Sequence, residues 1–132
     1  LGEAWTVAKK SNLDLEKTYK GIAISSGNSF VHETESQVIL NGSRDISFTM
    51  DLVAKDIGLF QAVADRAKIP LELNPLLISI FDDGIKRFGA RELSPNIIQR
   101  LEETTGLDIR ATGFPAQIVD DEPEEIGYEV TI

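Results

Sequence analysis

Phe48, Lys55 and Asp56 fall within one amphipathic stretch, Ser47-Phe-Thr-Met-Asp-Leu-Val-Ala-Lys-Asp-Ile-Gly-Leu-Phe-Gln-Ala-Val-Ala-Asp. On a helix, positions seven and eight apart return to about the same face, two turns on. The spacing therefore predicts an aromatic ring, an ammonium and a carboxylate along one stripe, a wall suited to an anionic, partly apolar ligand. The same residues also fit a plainer arrangement. Asp51 and Lys55 stand at i,i+4 with the acid on the N-terminal side, a favourable helix pair. Asp56 is then a solvated face residue and Phe48 a core anchor.

The stripe needs a helix under it, and the punctuation of the chain supplies about six. Glu3–Lys10 predicts a short helix with Ala4, Val7 and Ala8 on one face and Trp5 near its start. Asn12 or Asp14 can cap a second helix to about Ile24. Ser25-Ser-Gly-Asn-Ser is a turn-rich break before a third helix, Ser29–Leu40, which Asn41-Gly42 ends. Asp45 or Ser47 can cap the fourth and longest helix, which reaches Ala67 and carries the stripe. Gly58 inside it costs up to about 1 kcal/mol against alanine, tolerable where another helix or a ligand approaches closely. A fifth helix spans about Pro70 to Phe88, with Asn74-Pro75 as a second start signal. Ser94-Pro95 opens a sixth, which runs to Thr105 with Ile97, Ile98 and Leu101 as its apolar stripe, and Gly106 closes it.

After Gly106 the helical pattern stops. Residues 107–132 hold seven acids and one base, Arg110, so this segment carries −6 of the net −9. Ile109 and Ile118-Val119 predict short extended pieces. Tyr128, Val130 and Ile132 alternate with polar residues as in a terminal strand or a docking arm. The expected organisation is an all-α domain over 1–106 and an extended acidic tail or arm over 107–132.

Composition excludes several functions. The chain has 132 residues and 42% hydrophobic content, enough for one domain with a core. There is no cysteine, hence no disulfide framework or thiolate metal site, and His32 is the single histidine. The net charge of −9 offers no basic stripe to phosphates, so no nucleic-acid partner is expected. No apolar run approaches membrane-spanning length and no signal peptide is visible, which predicts a cytoplasmic protein without membrane attachment. The sequence begins at Leu1 rather than methionine, as expected of a fragment or a processed product. The ten glycines never form Gly-x-Gly, so no dinucleotide fingerprint or P-loop is present. There is no Gly-x-Ser-x-Gly elbow either. Asp82-Asp83 and Asp120–Glu125 read as solvated acidic runs rather than metal sites. His32 is expected at the surface or as a satisfied helix residue. Trp5 is expected in packing, including at a subunit interface.

The order of these features resembles the C-terminal domain of the 3-hydroxyisobutyrate dehydrogenase family of β-hydroxyacid dehydrogenases. Glu3-Ala-Trp-Thr-Val-Ala-Lys-Lys-Ser-Asn-Leu-Asp is similar to the family's Glu-Ala-x-x-Leu-Ala-x-x-x-Gly-Leu-Asp, with Asn12 where glycine is usual. Ile22–Ser29 is similar to its small-residue turn. Phe48 through Asp56 is similar to its Phe…Lys-Asp element, continued in Ile57–Ala64. Ala67-Lys-Ile-Pro-Leu is similar to its entry into the next helix. The resemblance covers about residues 3–106.

The resemblance implies an all-α bundle like the C-terminal domains of the 6-phosphogluconate dehydrogenase-like superfamily. It implies NAD or NADP, bound mainly by an N-terminal dinucleotide-binding domain that this sequence does not contain. Lys55 would lie against the nicotinamide end of the cofactor, and Phe48 and Asp56 would border the hydroxyacid substrate. The chemistry is coherent. A lysine orients a carboxylate or hydroxyl and favours negative charge. A carboxylate fixes that ammonium or accepts from a substrate hydroxyl. An aromatic ring keeps water from the hydride path.

Two departures matter. The family's acid/base lysine precedes the matched region and is expected upstream of Leu1. Lys9 and Lys10 do not correspond to it, so no catalytic residue is assigned here. An aspartate-serine element common in the family is replaced by Gly89-Ala-Arg-Glu-Leu-Ser-Pro-Asn, where Glu92 or Ser94 can stand in. Arg91 is either a ligand for a substrate carboxylate or a solvent-facing loop residue. The expectation is thus the C-terminal domain of an NAD(P)-dependent 3-hydroxyacid dehydrogenase that closes the cleft, forms a homodimer, and is inactive without its nucleotide-binding domain. The alternative is a stand-alone helical dimerisation or protein-interaction module.

Overall fold

The structure is a computed structural model that describes residues 1–118 and Gly127. Among the described residues it is all-helical, with no strand beyond the isolated bridge between Thr49 and Leu93. The helices are α1 (Gly2–Lys10), α2 (Leu15–Ala23), α3 (Phe30–Asn41), α4 (Met50–Ala67), α5 (Asn74–Phe88) and α6 (Gln99–Thr105). A 3-10 turn, Ser94–Ile98, leads into α6. The expected acidic run Asp120–Glu125, the extended piece at Val119 and the alternating Tyr128–Ile132 segment lie outside the described residues.

The local signals act as their chemistry requires. The Asp14 carboxylate, not Asn12, accepts from the Lys17 N–H and caps α2. Asn12 instead adopts a left-handed backbone, φ 55°. That conformation suits glycine best and asparagine better than most other residues, which accounts for Asn12 at a glycine position. Ser29 caps α3 through the His32 N–H. Gly42 ends it in the left-handed conformation, and Gly106 does the same for α6.

Several expectations change. The sixth helix, expected from Ser94 to Thr105, is a 3-10 turn over Ser94–Ile98 with Leu93 at its cap, followed by α6 from Gln99. α4 begins at Met50 with Thr49 at its cap, so neither Asp45 nor Ser47 caps it and Phe48 precedes the helix. The cause is long-range. The Ser94 N–H donates to the Phe48 carbonyl, Met50 N–H to Glu92 carbonyl, and Asp51 N–H to Ala90 carbonyl. This pairing holds 48–51 in register with 90–94 and takes Phe48 out of helical conformation. α5 starts at Asn74, not Pro70, with Pro75 in its first turn. The Asn74 side-chain amide donates to the Ile57 carbonyl and to the Gln61 side chain, tying the start of α5 to α4. In α1 the buried face is Trp5, Thr6 and Ala8, while Val7 is exposed. The bulky indole sets the face.

The core joins Trp5, Ala8, Leu15, Ile39, Leu40, Ile98 and Ile109. His32 is fully buried rather than at the surface, between the Trp5 ring at 5.8 Å and the Tyr19 ring at 4.6 Å. Its polar atoms are matched. The Trp5 indole N–H donates to Ser36 Oγ (3.3 Å), Ser36 Oγ lies 3.3 Å from His32 Nδ1, and His32 Nε2 lies 3.0 Å from the Tyr19 carbonyl. Because a carbonyl only accepts, this chain assigns the proton to Nε2 and leaves Nδ1 to accept from the Ser36 hydroxyl. Trp5 is therefore intrachain packing. Packing continues past the last helix. The Ala111 N–H donates to the Leu40 carbonyl, the Asn41 amide donates to the Phe114 carbonyl, and Phe114 packs edge-on against Tyr19.

Candidate functional site

α4 carries Lys55 and Asp56 on its outer side, with side chains 58% and 53% exposed and 3.0 Å apart. Neighbouring helix residues do not normally face each other, and so exposed a pair contributes little to stability. Its members are therefore available to an incoming polar ligand at small cost. The alternative Asp51–Lys55 pair does not form. Asp51 accepts from the Thr49 hydroxyl and pairs with Arg91 at 3.1 Å. The Thr49 hydrogen bond, with Arg91 adding to it, holds the Asp51 carboxyl below its ordinary range. Arg91 is 78% exposed in its loop and committed to Asp51, as a loop arginine.

Gly58 follows Lys55 by three positions and so lies on about the same side of α4. A Cβ there would meet nothing within 4 Å, so no described helix of this chain requires the glycine. Gly84 differs. A Cβ on it would lie 2.5 Å from Ile97 Cδ1 and 3.2 Å from Met50 Sδ, so these side chains close over the glycine of α5 and would have to shift for a larger residue.

Phe48 stands apart from the charged pair. It lines a cleft of about 480 Å³ bounded by the start of α1, α3, α5 and the 3-10 turn, which neither Lys55 nor Asp56 lines. The single-stripe expectation is corrected accordingly: the backbone pairing with 90–94 turns Phe48 toward this cleft. Val53, Phe81 and Pro95 share its apolar lining, and Ser29, Ser94 and Glu35 are its polar members. Leu1, the N-cap residue of α1, lines the same cleft. Its side chain offers only apolar surface, so Leu1 is a wall of the cleft and not a catalytic group. The acid/base lysine expected upstream of Leu1 falls outside this sequence.

Glu35 was not singled out by the sequence. It sits among alternating buried and half-buried positions of α3, and its neighbours come from distant segments. Glu92 accepts from the Leu93 N–H and the Asn96 amide, which occupies it within the 3-10 turn. Ser94 and Pro95 are the members of the segment 89–96 that reach the cleft.

Asp83 also departs from a purely solvated role. Arg100 lies 2.5 Å away and Arg87 3.3 Å, and Arg100 foremost lowers its pKa. No group of three or more potential metal ligands occurs among the described residues, and none of the described helices is long and apolar enough to cross a membrane. The exposed Lys55 ammonium and the open Gly58 position leave this side of α4 accessible to a ligand.

Comparison with known proteins places these features. A family model described as the NAD-binding region of NADP-dependent 3-hydroxyisobutyrate dehydrogenase matches residues 1–101. The chain is 30% identical over 110 residues to 2-(hydroxymethyl)glutarate dehydrogenase of Eubacterium barkeri, covering 83% of this chain and 36% of that protein. It is 27% identical over 81 residues to L-threonate dehydrogenase of Haemophilus influenzae, covering 61% of this chain and 27% of that protein. The chain thus spans about a third of the length of these relatives. With the helical fold and a family match over most of the sequence, the chain belongs to the 3-hydroxyisobutyrate dehydrogenase family.

Proposed function

We propose that this chain is the helical C-terminal domain of an NAD(P)-dependent dehydrogenase acting on a 3-hydroxyisobutyrate-like 3-hydroxy acid. The family match over residues 1–101 carries the reading. A nicotinamide cofactor, when bound, supplies the two-electron acceptor for hydride leaving the carbinol carbon. The residues of this chain contribute from two places, the exposed side of α4 and the cleft beside Phe48. Lys55 holds a polar group at the nicotinamide end of the cofactor by charge and hydrogen bonding. Asp56 orients that ammonium or accepts from a substrate hydroxyl. Phe48 excludes water beside the substrate. The hydroxyl proton goes to a lysine of the preceding domain, upstream of Leu1, as the resemblance implies.

The domain also closes the cleft and dimerises in the cytoplasm. Leu59, Phe60 and Val63 of α4, with Leu73, Leu76 and Leu77 at the start of α5, leave an apolar surface exposed, which supports a second copy covering it. The same surface also fits the other reading, a helical interaction module without catalysis. One assay separates them. Protein containing this chain together with a dinucleotide-binding domain should reduce NAD or NADP with a 3-hydroxy acid, and this chain alone should not. Absence of turnover with both cofactors across a panel of 3-hydroxy acids would favour the interaction module.

A further inference from the structure

Phe48 owes its conformation to main-chain partners, and two routes lead from it back to one buried side chain. Along the chain, the Ile46 N–H donates to the Arg44 carbonyl (3.1 Å) and the Phe48 N–H to the Ile46 carbonyl (2.7 Å). Arg44 is itself anchored at the end of α3, its N–H donating to the Val38 carbonyl (3.0 Å). Across the fold, the Ser94 N–H meets the Phe48 carbonyl and the Met50 N–H meets the Glu92 carbonyl. The Glu92 carboxylate accepts from the Asn96 side-chain amide (2.7 Å). The Asn96 side-chain oxygen accepts in turn from the Arg44 guanidinium (3.0 Å), which is buried and paired with Glu102. The two routes therefore close into one circuit that contains Phe48.

Asn96 is the link at which the circuit changes polarity. The Arg44 guanidinium and the Gln99 amide nitrogen can only donate to its oxygen, and the Glu92 carboxylate can only accept from its nitrogen. These partners fix which way round the amide lies. Leucine there would serve neither side. Aspartate would keep the oxygen that Arg44 and Gln99 need and would set a second carboxylate against Glu92. Glu92 Oε1 also accepts from the Leu93 N–H (2.9 Å), so its side chain shapes the main chain of the segment that clasps Phe48.

We infer that Asn96 is a positioning residue for Phe48: through Glu92 it holds residues 90–94 against 48–51, and so sets the aromatic wall beside the substrate without touching the substrate itself. This role rests on the dehydrogenase reading above, which places Phe48 at the substrate. A side chain that borders substrate keeps its geometry only when its neighbours lock it, and a small misplacement slows the chemical step. Glu92 then acts on the site through the main chain rather than as a ligand for substrate.

The test reads the hydrogen bond from the Ser94 N–H to the Phe48 carbonyl directly, as the scalar coupling across it in NMR spectra of the protein. The coupling across the bond from the Arg44 N–H to the Val38 carbonyl is the control, because it lies on the α3 side of Arg44. Asn96→Asp should lower the Ser94–Phe48 coupling by about half or more and leave the control unchanged. Glu92→Gln keeps an oxygen for the Asn96 amide and the Leu93 N–H, and should leave both couplings unchanged. Asn96→Asp combined with Glu92→Gln turns the pair round, with the new glutamine amide donating to the new aspartate, and should restore the Ser94–Phe48 coupling. An undiminished coupling in Asn96→Asp, or a loss that the double variant does not restore, would overturn the inference. So would an equal fall of both couplings, which would make Asn96 a stability residue alone. Because this readout needs no turnover, its failure is distinct from failure of the dehydrogenase assay. In the enzyme with its nucleotide-binding domain, Asn96→Asp should lower kcat about tenfold with the cofactor KM unchanged. Added to Phe48→Leu, it should cause little further loss, because both changes act on one wall. Additive losses would overturn the route through Phe48.

Discussion

The Arg44 guanidinium lies 2.5 Å from the Glu102 carboxylate, with side chains only 5% and 15% exposed. Arg44 sits at φ 54°, a backbone state that disfavours any residue but glycine or asparagine. It also donates to Asn96, and the other Glu102 oxygen accepts from the Ile109 N–H. One ion pair therefore joins the α3–α4 connection, the 3-10 turn, α6 and the segment beyond it. Removing one partner strands the other as a buried charge. Arg44→Ala should destabilise the fold by about 3–5 kcal/mol, read by urea denaturation. A loss below about 1 kcal/mol would show that the pair is dispensable.

Two helix glycines, Gly84 and Gly58, respond differently to one substitution. Gly84→Ala forces the Ile97 Cδ1 end to rotate away and crowds Met50, so it should gain less than Gly58→Ala or cost up to about 1 kcal/mol. Gly58→Ala meets open space and should gain up to about 1 kcal/mol from helix propensity. Thermal unfolding of the two variants checks both. If a cofactor lies over Gly58 in the complete enzyme, the stabilised variant should also show a raised KM for that cofactor.

The hydrogen-bonded chain Trp5–Ser36–His32 predicts a third effect. Ser36→Ala leaves a buried indole N–H and a buried imidazole nitrogen without partners. The expected cost is about 1–3 kcal/mol, although only one oxygen is removed. Calorimetry against Ser36→Thr, which keeps the hydroxyl, separates this from packing loss.

Stability should respond to acid through groups of opposite sign. Asp51 and Asp83 have carboxyls depressed below 3.8, by Thr49 and Arg100 foremost. Their contribution is present above pH 3.8 and is lost as pH falls toward their folded values. Glu35 is raised above 4.5 by burial, so its folded state binds the proton more tightly. Its contribution is fully present below pH 4.5 and declines as pH rises through its folded value. Glu35→Gln should gain on the parent protein as pH rises above 4.5, in unfolding curves taken at each pH. A pH-independent difference would contradict this.

Lys55→Ala, in the enzyme with its nucleotide-binding domain, should raise the cofactor KM or lower kcat by about tenfold to a hundredfold. The fold should not change, because the Lys55–Asp56 pair is exposed. Asp56→Ala should act in the same direction and more weakly. Unaltered kinetics in both would remove these residues from the site.

Much of the fold was legible because its signals are local. Ser29, Gly42 and Gly106 each mark an end through their own backbone chemistry, whereas Ser94-Pro95 opens a 3-10 turn and α6 starts only at Gln99. The misplacements share a different cause. Phe48 continues a helical hydrophobic pattern, yet hydrogen bonds from 90–94 decide its conformation. Of the two settings expected for His32, surface or satisfied helix residue, the sequence could not choose, and enclosure by Trp5 and Tyr19 decides for the second. The site divides the same way. Lys55 and Asp56 stand out as adjacent charges on one helix, whereas Leu1 and Glu35 acquire their place only from the separate segments that form the cleft.

The three main-chain hydrogen bonds between 48–51 and 90–94 close the base of the α4–α5 hairpin. Such a closure makes the hairpin a single unit of local opening, with Phe48 and Ser94 at its clasp and Lys55 on its arm. Amide exchange should report this as a shared protection level for Met50, Asp51 and Ser94. A ligand that wedges against Phe48 then slows the breathing of a helix pair whose far end it never touches.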